Sequence, residues 1–321
     1  MLFASHGHPS LHLAEPRLMG VINATPDSFS DGGRFDTPDA AAAQALEMAR
    51  AGAAILDVGG ESTRPGAEPV DTDEQTRRVV PVVSAIRRAL HRAGFEGVWI
   101  SVDTRLASVA GAALDAGAAM VNDVSAGRDD PAMLPLVAER GAALCLMHMR
   151  GDPATMQERP AYRDVVEEVA AFLAERAAAA EQAGVLRDRI VIDPGIGFGK
   201  TLEHNLALLA AIPRFAATGR PVLIGASRKR FIAALDPQRA QSPAEREPGT
   251  IAVTLHAADA GAAILRVHDV PANAQALQVA RAIPRVATTP TNPSTSTNHT
   301  TPTTSNTSST PNDPAAQNDR I

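Results

Sequence analysis

Several apolar runs in this sequence end in a side chain that can hydrogen-bond or carry charge. The residues at those ends are Asn23, Asp57, Asp103, Asn122 with Asp123, His148, Asp193, Ser227 with Lys229 just beyond it, and Arg266 with His268. A polar residue where a strand meets water is ordinary, so no single position is informative. The set is, because Asn23 and Asn122 are two of the four asparagines before residue 288 and both close apolar stretches. Carboxylates and amides converging on one pocket suit a flat heterocycle with adjacent N–H donors and acceptors, since one carboxylate accepts two parallel N–H bonds. Lys229, Arg266 and His268 add cations for a phosphate or carboxylate. The spacing of His and Cys matches no structural zinc site. A metal here would be Mg2+, held by few protein oxygens and by substrate phosphates.

Converging these residues requires an element that ends many times at one face. The motif of helix end, glycine stop and short apolar strand recurs: AGAAILDVGG from Ala51, AGAAMVNDVS from Ala116, RGAALCLMHM from Arg140 and AGAAILRVHD from Ala260. The intervals divide into units of about 24 to 33 residues, the size of one βα unit. RLMGVIN (17–23), GVWISVD (97–103), RIVID (189–193) and RPVLIG (220–225) bring the strands to eight. All are apolar on both faces, as parallel strands covered by helices are. Helical spacing fills the intervals over 39–50, 73–93, 106–116, 131–140, 163–183, 202–211, 249–260 and 272–282. Eight strands alternating with eight helices predict a (β/α)8 TIM barrel, whose chemistry lies at the C-terminal ends of the strands. The first strand leads into NATPDSFSDGG rather than the glycine fingerprint of a dinucleotide-binding sheet.

Composition bounds the rest. The chain has 321 residues, 30 Lys+Arg against 36 Asp+Glu, a formal net charge of -6 and 3% aromatics. An acidic chain poor in stacking side chains is a poor nucleic-acid binder. No run is long and apolar enough to span a membrane, and the N-terminus lacks a signal-peptide pattern, so a cytoplasmic protein is expected. The single Cys145 lies in an apolar run and reads as a core residue. Only Lys200 and Lys229 are lysines in a chain that otherwise uses Arg. Residues 1–14 read as a flexible N-terminus, 15–287 as the barrel, and 288–321 as a disordered tail rich in Thr, Ser, Pro and Asn.

Two loops carry the densest polar pattern: Asn23–Gly33 after the first strand and Gly59–Gly66 after the second. Glycines, hydroxyls, carboxylates and one Arg suit lids that close over an anionic leaving group. The glycines of Asp193-Pro-Gly-Ile-Gly-Phe-Gly-Lys200 resemble a phosphate cradle without the spacing of a nucleotide-binding loop.

NATPDSFSDGG, GGESTRPGA, ISVDT, VNDVSAG, IDPGIGFGK, GASRKRFI and LRVHDV occur in this order over residues 20–270. Together they resemble the dihydropteroate synthase family. The resemblance implies a (β/α)8 fold and condensation of (7,8-dihydropterin-6-yl)methyl diphosphate with 4-aminobenzoate, with Mg2+, in a homodimer that is a sulfonamide target. By motif, Asp103, Asn122, Asp193 and Lys229 would hold the pterin, with Arg266 stacked on its face. Asn23, Thr63, Arg64, Arg266 and His268 would surround the diphosphate, with Asn23 at the metal. Asp27, Phe29 and Asp31 would belong to the first lid, and Phe198 and Ser227 would flank the aminobenzoate. Ala24 stands where the family often has Val, and Arg230 where many members have Ser. A pterin-binding methyltransferase would share the Asp and Asn ring but not need Thr63-Arg64-Pro65 or Ser227-Arg228-Lys229. A non-catalytic pterin-binding paralogue is the other alternative, and the intact lid motifs count against it.

The tail offers almost no apolar side chain that could dock on a core. Removing Thr288–Ile321 is therefore expected to leave folding and turnover intact. A truncated protein that precipitates, or loses most of its activity at saturating substrate, would show that the tail is part of the fold.

Overall fold

The structure is a computed structural model, and it describes residues 2–24, 38–62, 70–152 and 155–284. Residues up to Ile283 form one compact unit; of the second unit, Pro284–Ile321, only Pro284 is described. The expected tail, 288–321, thus lies outside the described residues.

The chain opens with two short strands, β1 (Leu2–Phe3) and β2 (Leu11–His12), paired antiparallel. The eight expected strands follow as β3 (Arg17–Asn23), β4 (Ala53–Gly59), β5 (Trp99–Asp103), β6 (Met120–Asp123), β7 (Ala143–Met147), β8 (Ile190–Asp193), β9 (Leu223–Ile224) and β10 (Ile264–Val267). They lie parallel in the order β8-β7-β6-β5-β4-β3-β10-β9. A bridge between Ile192 and Val222 closes the sheet, with the Ile192 N–H donating to the Pro221 carbonyl at 3.0 Å. β9 is shorter than the six residues expected from the sequence. Pro221 at its start has no N–H for the ladder.

The helices are α1 (Pro38–Arg50), α2 (Thr72–Arg92), α3 (Ala107–Asp115), α4 (Met133–Arg140), α5 (Val165–Gln182), α6 (Leu202–Ala210), α7 (Ile212–Ala216), α8 (Arg230–Leu235), α9 (Glu247–Asp259) and α10 (Val270–Ala282). The sequence predicts eight of these; α7, of five residues, and α8, of six, are too short to show a period. Several starts are fixed by side-chain caps that satisfy otherwise unpaired N–H groups. Asp71 accepts from Glu74, Thr201 and His204 form a reciprocal capping box, and Asp269 accepts from Ala272. The last two caps matter for function, because Thr201 follows Lys200 and Asp269 follows His268.

Strand residues alternate between two cores. Leu18, Leu56, Val58, Ile100, Val102 and Leu144 pack outward against the helices. Met19, Ile55, Trp99, Met120, Cys145, Val191, Leu223 and Ile264 come together from all eight strands and fill the barrel interior. Cys145 is buried, as the sequence suggested, and burial pushes its thiol well above the usual range.

The N-terminus differs from expectation. Residues 2–14 are not loose: Phe3 and Leu11 join the interior core, and Phe3 is 0% exposed. Its ring lies 5.3 Å from that of Trp99, whose indole N–H donates to the Pro9 carbonyl at 2.7 Å. Ser5 donates to the Ala119 carbonyl and His6 to that of Gly141. The hairpin plugs the N-terminal end of the barrel, where strand starts would otherwise expose Trp99 and Met120. Two-residue strands among His, Ser and Pro leave no periodicity to read, and the contacts that order them lie about 90 residues away.

Phe3→Ala is expected to cost about 3–5 kcal/mol, as for other buried aromatic truncations, and to shift Trp99 emission to the red. Unchanged thermal stability and emission would show that the plug is dispensable.

Candidate active site

A cleft of about 680 Å3 opens at the C-terminal ends of the strands; Asn23, Glu61, Asp103, Phe198, Lys200, Ser227, Lys229, Arg266 and His268 are among its lining residues. A deeper pocket of about 20 Å3 continues from it between Asp103, Asn122, Asp193, Phe198, Lys229 and Arg266. Residues from β5, β6, β8 and β10 and from the loops after β8 and β9 thus meet in one place, as closing the sheet requires.

Arg266 is the connector. From β10 its Nε donates to Asp57 Oδ2 at 2.7 Å and its Nη2 to Asp103 Oδ2 at 2.9 Å. Asn122 Nδ2 donates to the same Asp57 oxygen at 3.0 Å. Two of the three guanidinium nitrogens are thereby committed to carboxylates, which leaves the flat face as the larger surface for a ligand. Burial, with the Asp57 charge beside it, pushes the Asp103 carboxyl up to about 7, although Arg266 opposes the shift. Burial also raises Asp193, against the pull of Lys229. Asp193 Oδ1 accepts the Gly195 N–H at 2.7 Å.

Lys229 donates to the Ile196 carbonyl, and its ammonium stands 4.4 Å above the Phe198 ring. Burial lowers it to about 7, less than it would without the nearby Asp193. Arg228, just before it, has φ +59. That conformation is costly for a side-chain residue and persists only where its surroundings fix it. Here Thr250 Oγ1 accepts the Arg228 N–H at 3.0 Å, Glu247 accepts its Nε at 2.9 Å, and Arg246 donates to its carbonyl at 3.0 Å. The turn therefore sends Ser227 and Lys229 to the cleft while Arg228 is tied to α9.

Ser227 lines the cleft together with Phe198, and its hydroxyl lies against His268. It accepts the His268 backbone N–H at 3.3 Å and is 3.0 Å from Nδ1.

The glycines after β8 serve packing rather than a phosphate cradle. Gly195 and Gly199 have φ +69 and +63, and a Cβ on either would collide with the carbonyl oxygens of His148 and Arg150. The loop lies flat on the end of β7. Lys200 pins it there: 3% exposed, it is 3.0 Å from His148 Nδ1 and donates to the Phe198 carbonyl at 2.9 Å. Burial and Lys200 push His148 down to about 2, so its ring is neutral, and it packs edge-on against Phe172. Both lysines of the chain thus border the cleft. The sequence marked Lys200 by its rarity and assigned it no role.

Two other residues read differently once placed. Asp57, passed over as one more polar strand end, holds Arg266 and Asn122. Asp123 accepts from Ser125 and Gly127 and organises its own loop. Thr63, Arg64, Asp27, Phe29 and Asp31 lie outside the described residues. Among the described residues no group of three or more His, Cys, Asp or Glu could hold a metal. Asn23 offers a carboxamide oxygen at the cleft. No described helix is long and apolar enough to cross a membrane.

Residues 19–268 match the protein family described as pterin-binding enzyme. Dihydropteroate synthase of Escherichia coli K12 is 46% identical over 273 residues, 85% of this chain and 93% of that one. A crystal structure of Xanthomonas albilineans dihydropteroate synthase with 4-aminobenzoic acid aligns with TM-score 0.78 at 46% identity, covering 88% of this chain and 97% of that chain. The same enzyme in complex with 7,8-dihydropteroate aligns with TM-score 0.76 at 43% identity, covering 88% and 98%.

Because the folded-state value of Asp103 lies above the ~3.9 of a free aspartate, the folded protein holds an extra proton between about pH 4 and 7. The cost of this carboxyl to stability therefore grows as pH rises through that window. Carbon-13 NMR of aspartate-labelled protein is expected to show one carboxyl titrating near 7 that vanishes in Asp103→Asn. Titration of every aspartate below pH 5 would contradict the site's electrostatics.

Proposed function

The chain belongs to the dihydropteroate synthase family of pterin-binding enzymes, and on that premise we propose how its residues divide the work. The reaction condenses (7,8-dihydropterin-6-yl)methyl diphosphate with 4-aminobenzoate and yields 7,8-dihydropteroate and diphosphate. The observation that carries the division is the deep pocket, where Asp103, Asn122, Asp193 and Lys229 face one another beside Arg266.

The pterin edge carries N–H groups, and the carboxylates of Asp103 and Asp193 accept from them. Lys229 donates to the ring carbonyl, and the face of Arg266 stacks on the ring. The methylene then points up into the cleft, where Asn23 and His268 line the wall. Thr63 and Arg64, with the lid residues Asp27, Phe29 and Asp31, complete the diphosphate site. Asn23 would help hold Mg2+ together with the diphosphate, and the ion would supply positive charge to the leaving group. Arg266 contributes little to the diphosphate directly, since its Nε and Nη2 are bound to carboxylates.

Cleavage of the C–O bond places negative charge on diphosphate and positive charge on the pterin methylene, which the electron-rich ring delocalises. His268, held by Ser227, donates from Nε2 to the departing oxygens. Such preorganised donors act most strongly where charge develops. The amine of 4-aminobenzoate, flanked by Phe198, attacks the methylene; it is uncharged at neutral pH and needs no strong base. The nitrogen then passes its proton to solvent, so that a C–N bond replaces the C–O bond and diphosphate and a proton leave. This chemistry needs no nucleophile–base pair, and Cys145 is sealed inside the barrel.

The chain acts as a homodimer in the cytoplasm. Val279 and Ile283, at and just beyond the end of α10, are 57% and 62% exposed, as residues that meet a second copy would be.

Diphosphate release from the pterin diphosphate, with and without 4-aminobenzoate, tests the activity; release that ignores 4-aminobenzoate would count against condensation. Arg64→Ala is expected to lower turnover on the order of 10²-fold or more while leaving affinity for free pterin nearly unchanged. Arg64→Lys should recover only part, lacking the two-donor fork. Equal turnover of wild type and Arg64→Ala would make Arg64 a bystander.

A further inference from the structure

Asp57 is 0% exposed, yet it belongs to none of the groups assigned above to substrate. On β4 it pairs with Ser101, whereas Gly59, two residues on, pairs with Asp103. It therefore stands one inward-facing layer deeper than Asp103, beneath the pterin pocket. One of its oxygens, Oδ2, takes both Arg266 Nε and Asn122 Nδ2. The other, Oδ1, is buried and has no hydrogen-bond partner among the described residues. A residue kept only for packing would not hold a charged oxygen in this state, since a buried polar atom without a partner costs stability.

We infer that Asp57 is a positioning residue for pterin specificity: it fixes which atom Asn122 presents to the pterin and the plane in which Arg266 lies. The argument is one of donors and acceptors. A carboxylate only accepts, so the Asn122 amide must turn Nδ2 towards it. The amide is planar, and Oδ1 is then directed away from Asp57, towards the pocket that Asn122 lines. With Asp103 and Asp193 this makes three acceptors, a pattern that selects a ring edge rich in N–H groups. A ring carrying a carbonyl in place of the amino group would meet acceptor against acceptor. Arg266 is fixed in the same way. Its Nε is tied to Asp57 on β4 and its Nη2 to Asp103 on β5, so the guanidinium cannot rotate out of the plane set by those two oxygens. Removing Asp57 frees both the amide to flip and the guanidinium to turn.

The inference rests on the pterin reading above. Binding of free 6-hydroxymethyl-7,8-dihydropterin to the wild type tests that reading, and only the difference between wild type and variant tests this one. In Asp57→Asn, affinity for the free pterin by calorimetry is expected to fall about 10- to 100-fold, the range for a mismatched buried hydrogen bond. The KM for 4-aminobenzoate should stay within about twofold. Preference for the pterin over the matching pteridine with a carbonyl in place of its amino group should narrow, which a merely structural loss would not produce. The exchange variant Asp57→Asn/Asn122→Asp restores a carboxylate–amide pair and an acceptor facing the pocket, and should regain most of the lost affinity. Wild-type affinity in Asp57→Asn would overturn the inference, as would equal loss for both pteridines. If Asp57→Asn does not fold, the exchange variant decides: pterin binding supports the inference, and a folded protein blind to pterin, or one that also fails to fold, overturns it.

Discussion

One guanidinium holds the mouth of this barrel together. Arg266 reaches from β10 to a carboxylate on β4 and another on β5, and it does so in a place where charges are expensive. A buried carboxylate pair repels, and each member alone would take up a proton or draw in water. A bridging Arg relieves both and adds fixed directions, because its donors lie in one plane. The residual strain is visible in Asp103, which remains pushed up to about 7 despite the ion pair. A buried ion pair of this kind is weak support for stability, and its value here is geometric. It sets the floor on which a flat ring can lie.

The remainder of the barrel preserves that geometry. The N-terminal plug closes the opposite end, so that the interior core stays dry beneath Asp57. Lys200 and His148 anchor the loop carrying Phe198, and the strained turn at Arg228 brings Ser227 to His268 and Lys229 over the Phe198 ring. His268 is held twice by Ser227, at its ring and at its backbone N–H, and the Asp269 cap starts α10 directly after it. Local sequence devices serve several of these supports: a glycine that permits close approach, a cap, a salt bridge from Arg228 to α9. Together they leave the deep pocket with little freedom, which suits catalysis by positioning and charge placement.

Much of this was legible in the sequence for a simple reason. In a parallel barrel each strand is a short apolar run with a glycine before it and a polar residue after it, and both signals are local. Asp103, Asn122, Asp193, Lys229 and Arg266 stand out by position as members of a wider set of strand ends, the family resemblance groups them, and the structure brings them into one pocket. What was not legible depended on depth and on distant contacts. Asp57 looks like any other strand end; only its register, one layer below Asp103, reveals that it serves its neighbours. Phe3 carries no periodic signal, and its partner Trp99 is far along the chain. The glycines after Asp193 suggested a phosphate cradle, because their composition does not show that the backbone of β7 presses against them.

The central claim is that substrate recognition is built on the floor fixed by Arg266. A crystal structure with the pterin diphosphate bound, in the absence of 4-aminobenzoate, tests it most directly. The account predicts the ring flat against the Arg266 guanidinium. It also predicts Asp103, Asp193 and Asn122 Oδ1 accepting from ring N–H groups, the Asp57–Arg266–Asp103 bridge intact, and the diphosphate against Asn23 and His268. A ring bound elsewhere in the cleft, or a bridge broken so that Arg266 turns to the diphosphate, would contradict it.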